Sequence, residues 1–178
     1  MYQKIIINIF LLVGLAIVQL AFIGSLPPPA NAFNIAIIVL VWLLPLSSYR
    51  TVIWWSAGIG VLFDLYSFLP FGTHLLSLLG ALALGRWLLL DFFTNRSLYS
   101  YLALTFFTTL TYEVSWQAVA AFVLFISGEP ANLDFGADFW AREGYLIGLN
   151  MAGVAAIFYA YGFISHKLKP TFLFKANE

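Results

Sequence analysis

The sequence predicts an all-α fold, a polytopic membrane helix bundle. Of the 178 residues, 62% are hydrophobic and only 9% are charged, and the mean hydropathy is +0.94. Soluble domains are roughly one half apolar and one quarter charged, so this composition is typical of a membrane protein. Apolar runs of about 20 residues, the length that crosses a bilayer, recur along the chain. Because no long polar segment remains for a second fold, we expect a single membrane domain over residues 1–178.

These runs predict six membrane spans. The second is short and contains Pro45, so it is either a complete or a partial crossing. The first run, followed by Ala30-Asn31-Ala32, also resembles a signal peptide with a cleavage site, but it exceeds the about 7–15 apolar residues typical of such signals. The six predicted spans cover residues 5–26, 33–46, 51–69, 73–93, 98–126 and 144–164.

The basic residues predict the orientation of the spans. In a six-span arrangement, Lys4, Arg50, Arg96 and the lysines after residue 164 lie on one side, and only Arg142 lies in a loop on the other. Cationic loops face the cytoplasm, so we expect both termini to be cytoplasmic. The long polar segment 127–143 is then external. Its acidic and aromatic residues favour a short amphipathic helix on the membrane or a docking surface for a partner.

Composition and motifs exclude several classes of function. With a formal net charge of zero and few charges, the chain has no basic surface for nucleic acid. The absence of cysteine excludes disulfides, iron–sulfur clusters and thiolate zinc sites. The two histidines, His74 and His166, lie on opposite sides of the predicted bundle, which disfavours a metal site. Because GxSxG, HExxH and glycine-rich phosphate loops are missing, we expect no enzyme activity and no cofactor.

Four of the predicted spans carry stripes of small or polar residues spaced four apart. Such residues share a helix face and let two helices approach closely in lipid. We expect these stripes to pack inside one bundle rather than against a partner, the terminal sixth span being the better candidate for an outside contact. The stripes are Ser56-Gly60-Asp64, Thr73-Ser77-Ala81-Gly85, Thr105-Thr109-Glu113-Gln117-Ala121 and Gly144-Gly148-Ala152-Ala156-Ala160.

Two of the stripes contain acids, Asp64 and Glu113. An ionised side chain at the centre of a span costs about 2.5–3.5 kcal/mol on insertion scales, so such residues usually face protein or water. Asp64 lies toward the outer end of the third span. Either it reaches interfacial water or the amides around the break at Pro70-Phe71-Gly72, or it makes a polar contact within the bundle or with a partner. Glu113 lies near the centre of the fifth span, where we expect it to face the bundle interior.

The hairpin between the third and fourth spans contains a distinctive series of residues, namely Gly58, Gly60, Asp64-Leu65, Ser67, Pro70-Phe71-Gly72 and His74-Leu75. This series resembles the signature of the MreD family. MreD is the small membrane subunit of the bacterial rod-shape, or elongation, machinery. The chain is also similar to the family in its length, in an N-terminal span that ends in a proline cluster and in its small extramembrane mass. Gln19, late in the first span, is similar to a polar residue often found at that place in the family. Tyr112-Glu113 and the acidic outer loop have no counterpart in the family pattern.

The resemblance implies a non-enzymatic scaffold of the bacterial inner membrane. It would bind an MreC-like protein, help link MreB filaments to the RodA glycosyltransferase and its transpeptidase partner, and so regulate cell shape. The resemblance also implies a fold similar to that of the substrate-binding subunits of energy-coupling-factor vitamin transporters, so the alternative function is small-molecule uptake. Those subunits usually carry an Ala-x-x-x-Ala motif in the first span, whereas Ala16 and Ala21 are five apart here. The candidate structural or partner-binding residues are Gly60, Asp64, Pro70, Gly72, His74, Glu113, Gly144 and Gly148.

Overall fold

The computed structural model describes residues 2–28, 30–93, 97–128 and 136–173. Over these ranges the protein is helical and contains no strand, which confirms the predicted helical membrane bundle. Arg96, Lys175 and the acids at 129 and 134, all used in the predicted topology, lie outside the described residues. The α-helices are α1 (Tyr2–Ile17), α2 (Ile35–Leu46), α3 (Tyr49–Tyr66), α4 (Thr73–Asp91), α5 (Leu98–Ile126) and α6 (Ala137–Leu173).

Four helical segments are long and apolar enough to cross a membrane. They include α4 and α5 over their full lengths, Ile5–Ser25, which extends α1 through a π-helical and a 3₁₀ turn, and Ala137–Ile164 of α6. The segment Ala30–Leu46, which contains α2, is shorter. Helix α3 carries both Arg50 and Asp64 in its 18 residues. For α2 and α3, a full crossing therefore stays a prediction.

The short helix α2 is the centre of the bundle. It packs against all five of the other α-helices, and Ala36, Ile37 and Ile38 are completely buried. A helix that is apolar all round is covered either by protein or by lipid, and α2 is covered mainly by protein. With 12 residues, α2 rises about 18 Å, less than the about 30 Å of a bilayer core. The unpaired backbone N–H or C=O groups of at least one end of α2 must therefore bond to neighbouring protein groups.

The small-residue stripes on α3, α4 and α5 pack inside the bundle, as predicted. Ser56, Ser77 and Thr109 have no exposed surface. A close approach of backbones occurs at Gly60, where an added Cβ would lie 2.6 Å from the Cα atom of Leu75 on α4. Helices α3 and α4 therefore touch backbone to backbone at this point.

For the stripe on α6, the prediction of internal packing is wrong. Its five residues, from Gly144 to Ala160, are exposed. A Cβ added to Gly144 or Gly148 would meet open space. The glycine of α6 that makes a close contact is Gly153, where an added Cβ would lie 2.8 Å from side-chain atoms of both Phe33 and Ile38.

The orientation of α6 follows from the larger residues on its opposite face. Leu146, Asn150 and Val154 are buried there, and they turn toward α2 and α5, against which α6 packs. Apolar and hydrogen-bonding side chains fill the space between these helices better than glycine and alanine. The small-residue face is consequently turned away from the bundle.

The start of α6 also differs from the prediction. The helix begins at Ala137, about two turns before the expected start at residue 144. Phe139 is buried while Trp140 is exposed, so these turns pack their own apolar face against the bundle. Residues 137–143 are therefore the beginning of α6 rather than a loop or a separate surface helix.

Candidate functional site

Asp64, on α3, joins the last turn of that helix to the start of α4. Its carboxylate accepts hydrogen bonds from the backbone N–H groups of Gly72 (3.0 Å), His74 (2.8 Å) and Leu75 (3.2 Å). The first N–H groups of a helix have no partner within the helix and carry partial positive charge. The carboxylate, only 4% exposed, compensates for both. Of the two interpretations of Asp64, the structure therefore shows the contact with the amides of the break.

The turn before α4 depends on Pro70 and Gly72. The Pro70 carbonyl accepts hydrogen bonds from the backbone N–H (3.2 Å) and the hydroxyl (2.7 Å) of Thr73. Gly72 has φ of +100°, in the left-handed region where a side chain is unfavourable. This conformation directs the Gly72 N–H toward the Asp64 carboxylate.

We expect Gly72→Ala to destabilise the protein by about 1–2 kcal/mol, because alanine is strained in the left-handed region. There is space for the methyl group, so backbone strain is the only penalty. Unfolding in mixed detergent micelles, followed by circular dichroism, measures the change. Gly144→Ala is the matched control, since its methyl group also meets open space but within a regular helix. Equal stability of the two variants would contradict the prediction.

His74 links the start of α4 to α5. Its Nδ1 lies 2.8 Å from the Tyr112 hydroxyl, and the two rings stack with centroids 6.3 Å apart. The Phe63 ring meets His74 edge-on at 5.9 Å, and the Trp116 ring lies at 6.3 Å. Within the part of the chain that the structure describes, no group of three or more His, Cys, Asp or Glu residues is placed to hold a metal ion.

The start of α2 is held by Gln19. Its side-chain amide donates to the Phe33 carbonyl (3.0 Å) and accepts from the Ile35 N–H (2.8 Å). Gln19 lies in the π-helical turn Val18–Phe22. Such turns interrupt the regular hydrogen-bond ladder of a helix and are frequent at functional sites.

A second amide, Asn150 of α6, completes the same helix start. Its Oδ1 accepts from the Asn34 N–H at 2.8 Å, and its Nδ2 lies 3.4 Å from the Thr109 hydroxyl oxygen. Asn34 in turn accepts from the Ile37 N–H (3.2 Å). Asn150, which is completely buried, thus ties α6 to both α2 and α5.

The two capped helix starts lie beside one cavity of about 890 Å³. Residues from all six α-helices or their adjoining turns line it. Aromatic rings form much of the wall, and polar groups enter it from several directions. The polar lining includes Gln19, Asn31, His74, Glu113, Trp116 and Arg142.

The charged groups of the cavity are Glu113 and Arg142. The Arg142 guanidinium lies 3.9 Å from the Glu113 carboxylate, but it lies closer to Glu143, to which it donates at 3.2 Å. Glu143 is only 1% exposed, and its Oε2 has no hydrogen-bond partner among the described residues. Two buried carboxylates therefore share one guanidinium, the side chain of which is half exposed.

The predicted site residues separate into two places. The hairpin residues, from Gly60 to His74, form one unit at the start of α4. Glu113 belongs to the same region, because it lines the cavity together with His74. Gly144 and Gly148 lie on the outer face of α6.

Sequence reasoning missed Asn150 and Trp116. An amide within an apolar run was the available signal for Asn150, since polar side chains in spans often bond between helices. No periodic pattern marks Trp116, whose position at the cavity follows from the packing of α4 against α5.

Comparison of the chain with models of known protein families, with curated proteins and with solved structures found no match.

Proposed function

We propose that the protein is a non-enzymatic membrane scaffold of the MreD kind, and that α6 binds a membrane-spanning helix of a partner. The observation that carries this proposal is the exposed stripe from Gly144 to Ala160. It extends over about 24 Å at 1.5 Å per residue. In lipid, close packing rather than the hydrophobic effect drives helix association, and small residues allow that packing.

The other helices of the same chain support this use of the stripe. The stripes on α3, α4 and α5 all lie at helix contacts, and the methyl group of an alanine at Gly60 or Gly85 would press against a neighbouring helix. The α6 stripe has the same four-residue spacing and consists only of glycine and alanine, but nothing in the described part of the chain covers it. A membrane-spanning helix of another protein would cover this stripe, as neighbouring helices cover the other three.

The residues of the α3–α4 hairpin support the family in this proposal. The partner is then an MreC-like protein, and the complex connects to MreB filaments, RodA and its transpeptidase. The protein lies in the bacterial inner membrane with both termini in the cytoplasm. Its own role is to hold these partners together, with the Asp64-capped hairpin keeping the bundle rigid.

We expect Gly148→Leu to reduce recovery of the partner about tenfold, a loss of about 1.4 kcal/mol of binding free energy. The leucine side chain fills the groove that the partner helix needs, while the fold is retained because the site is open. A detergent pull-down from a rod-shaped bacterium, with proteins identified by mass spectrometry, measures the recovery of elongation proteins.

The control for this experiment is Gly14→Leu on α1, which also meets open space. It should leave recovery unchanged. Absence of elongation proteins from the wild-type pull-down, or equal recovery with Gly148→Leu, would contradict the scaffold proposal.

The cavity of about 890 Å³ favours a second function, that of a substrate-binding subunit for small-molecule uptake. Ligand pockets have volumes of about 300–1,000 Å³ and combine apolar walls with a few polar groups. This function predicts a tightly bound vitamin-like molecule in the purified protein and ATPase subunits in the pull-down. Finding both, without elongation proteins, would replace the scaffold by the transport subunit.

A further inference from the structure

The cavity contains a carboxylate that is incompletely neutralised. Glu113 is only 8% exposed, and the 3.9 Å pair with Arg142 is its only polar contact among the residues described. Arg142 already donates to Glu143 at 3.2 Å. When both carboxyl groups are ionised, the three groups carry a net charge of −1, and a buried charge of this kind is stabilised either by taking up a proton or by pairing with a cation. The cavity therefore favours an additional positive charge beside Glu113.

The helix starts around the cavity do not offer sites for an anion. At the start of α4, three backbone N–H groups bond to the Asp64 carboxylate. At the start of α2, three more bond to the side chains of Gln19, Asn34 and Asn150. Helix N-termini bind anions through N–H groups that are free. Because these groups are occupied from within the protein, the unsatisfied charge of the cavity is that of Glu113.

Aromatic rings surround the same space. Phe63, His74, Tyr112 and Trp116 line the cavity, with His74 in ring contact with each of the other three. The face of an aromatic ring attracts cations, most strongly for tryptophan. The same rings accommodate an apolar ligand body. A carboxylate among aromatic walls thus matches an ammonium group attached to an apolar body.

We propose that this cavity binds an organic cation, with its ammonium group against Glu113 and its apolar body among Phe63, Tyr112 and Trp116. A free amine and the amine headgroup of a phospholipid share this chemistry. The proposal is independent of the partner surface on α6, because Gly144 and Gly148 do not line the cavity.

The test compares three ligands of similar shape on the purified wild-type protein: tryptamine, the uncharged tryptophol and the anion indole-3-acetate. We expect saturable binding of tryptamine by equilibrium dialysis, at least about tenfold tighter than that of tryptophol, or about 1.4 kcal/mol. Indole-3-acetate should bind more weakly than both. Equal or weaker binding of tryptamine relative to tryptophol would overturn the proposal without the need for a variant.

The variant Glu113→Gln identifies the anionic group. It should lose about tenfold in tryptamine affinity while tryptophol affinity is unchanged. Asp91→Asn, which changes an exposed carboxylate at the other end of α4, is the control and should bind as the wild type does. If Glu113→Gln fails to fold, Tyr145→Ala serves instead, because Tyr145 lines the cavity but is 65% exposed. It should weaken both indole ligands, and unchanged affinity in the variant used would overturn the assigned site.

Nanodiscs separate the two sources of the ammonium group. If phosphatidylethanolamine competes with tryptamine and phosphatidylglycerol does not, the occupant is a lipid headgroup. If neither lipid competes, the occupant is a free amine. Tryptamine binding that both lipids abolish equally would overturn the proposal, because the selectivity for an ammonium group would be missing.

Discussion

Replacing Asp64 with leucine is expected to lower the free energy of unfolding by about 3 kcal/mol, because three partly buried N–H groups lose their acceptor and a buried group costs about 1–3 kcal/mol when unsatisfied. The helix start also loses the negative charge that opposes its dipole. Asp64→Asn should lie between leucine and the wild type, since it keeps one acceptor oxygen but loses the charge. Unfolding in mixed detergent micelles, followed by circular dichroism, measures the series.

The control for this series is Asp91→Asn, because Asp91 is an exposed carboxylate on the same pair of helices. It should unfold within about 0.5 kcal/mol of the wild type, as surface substitutions usually do. If Asp64→Leu were as stable as this control, the capping hydrogen bonds would not hold the hairpin. Under the scaffold proposal, Asp64→Leu lowers stability and partner recovery together, whereas Gly148→Leu lowers recovery alone.

Element bounds followed the sequence well where polar residues mark both ends of an apolar run. Helix α5 was expected over 98–126 and occupies Leu98–Ile126, with the Ser97 side chain accepting from the Ser100 N–H at its start. Helix α3 ends at Tyr66, before the expected residue 69. The Ser67 hydroxyl contacts the Asp64 carbonyl and accepts from the Leu69 N–H, and such local bonds compete with the helix.

The start of α6 was missed because charge is an ambiguous signal. Asp138, Arg142 and Glu143 favoured a loop, but Arg142 and Glu143 bond to each other and Arg142 also reaches Glu113. Pairing removes much of the penalty for placing charges in a helix near a bilayer. A single sequence does not show this pairing, because Glu113 and Arg142 belong to different helices.

The prediction that the α6 stripe packs inside the bundle was wrong for a related reason. Periodicity shows which residues share a face, but a face of small residues in lipid serves equally for packing within one chain and for contact with a partner. Asn150 decided the orientation, since its amide bonds to α2 and approaches α5 and turns that side of α6 inward. The same limit applies to the cavity. His74 and Glu113 were each recognised, but their common site depends on how α4 and α5 pack.

Gly60→Ala is expected to separate α3 from α4 and to lower the free energy of unfolding by about 1–3 kcal/mol, the usual effect of overpacking. The new methyl group would lie 2.6 Å from the Leu75 Cα and 3.1 Å from its N atom, so backbone must move. That Leu75 N–H is also one of the donors to Asp64, at 3.2 Å. The movement therefore weakens the cap as well as the packing.

This coupling makes the prediction for Gly60 testable beyond its magnitude. If Gly60→Ala already weakens the cap, then Asp64→Leu should destabilise the Gly60→Ala protein less than it destabilises the wild type, since contacting residues have non-additive effects. Gly14→Ala is the matched control, because its methyl group meets open space in α1 and should combine additively with Asp64→Leu. Full additivity for the Gly60–Asp64 pair would show that the close helix contact and the cap act separately, and the hairpin would then not be the single unit that its geometry indicates.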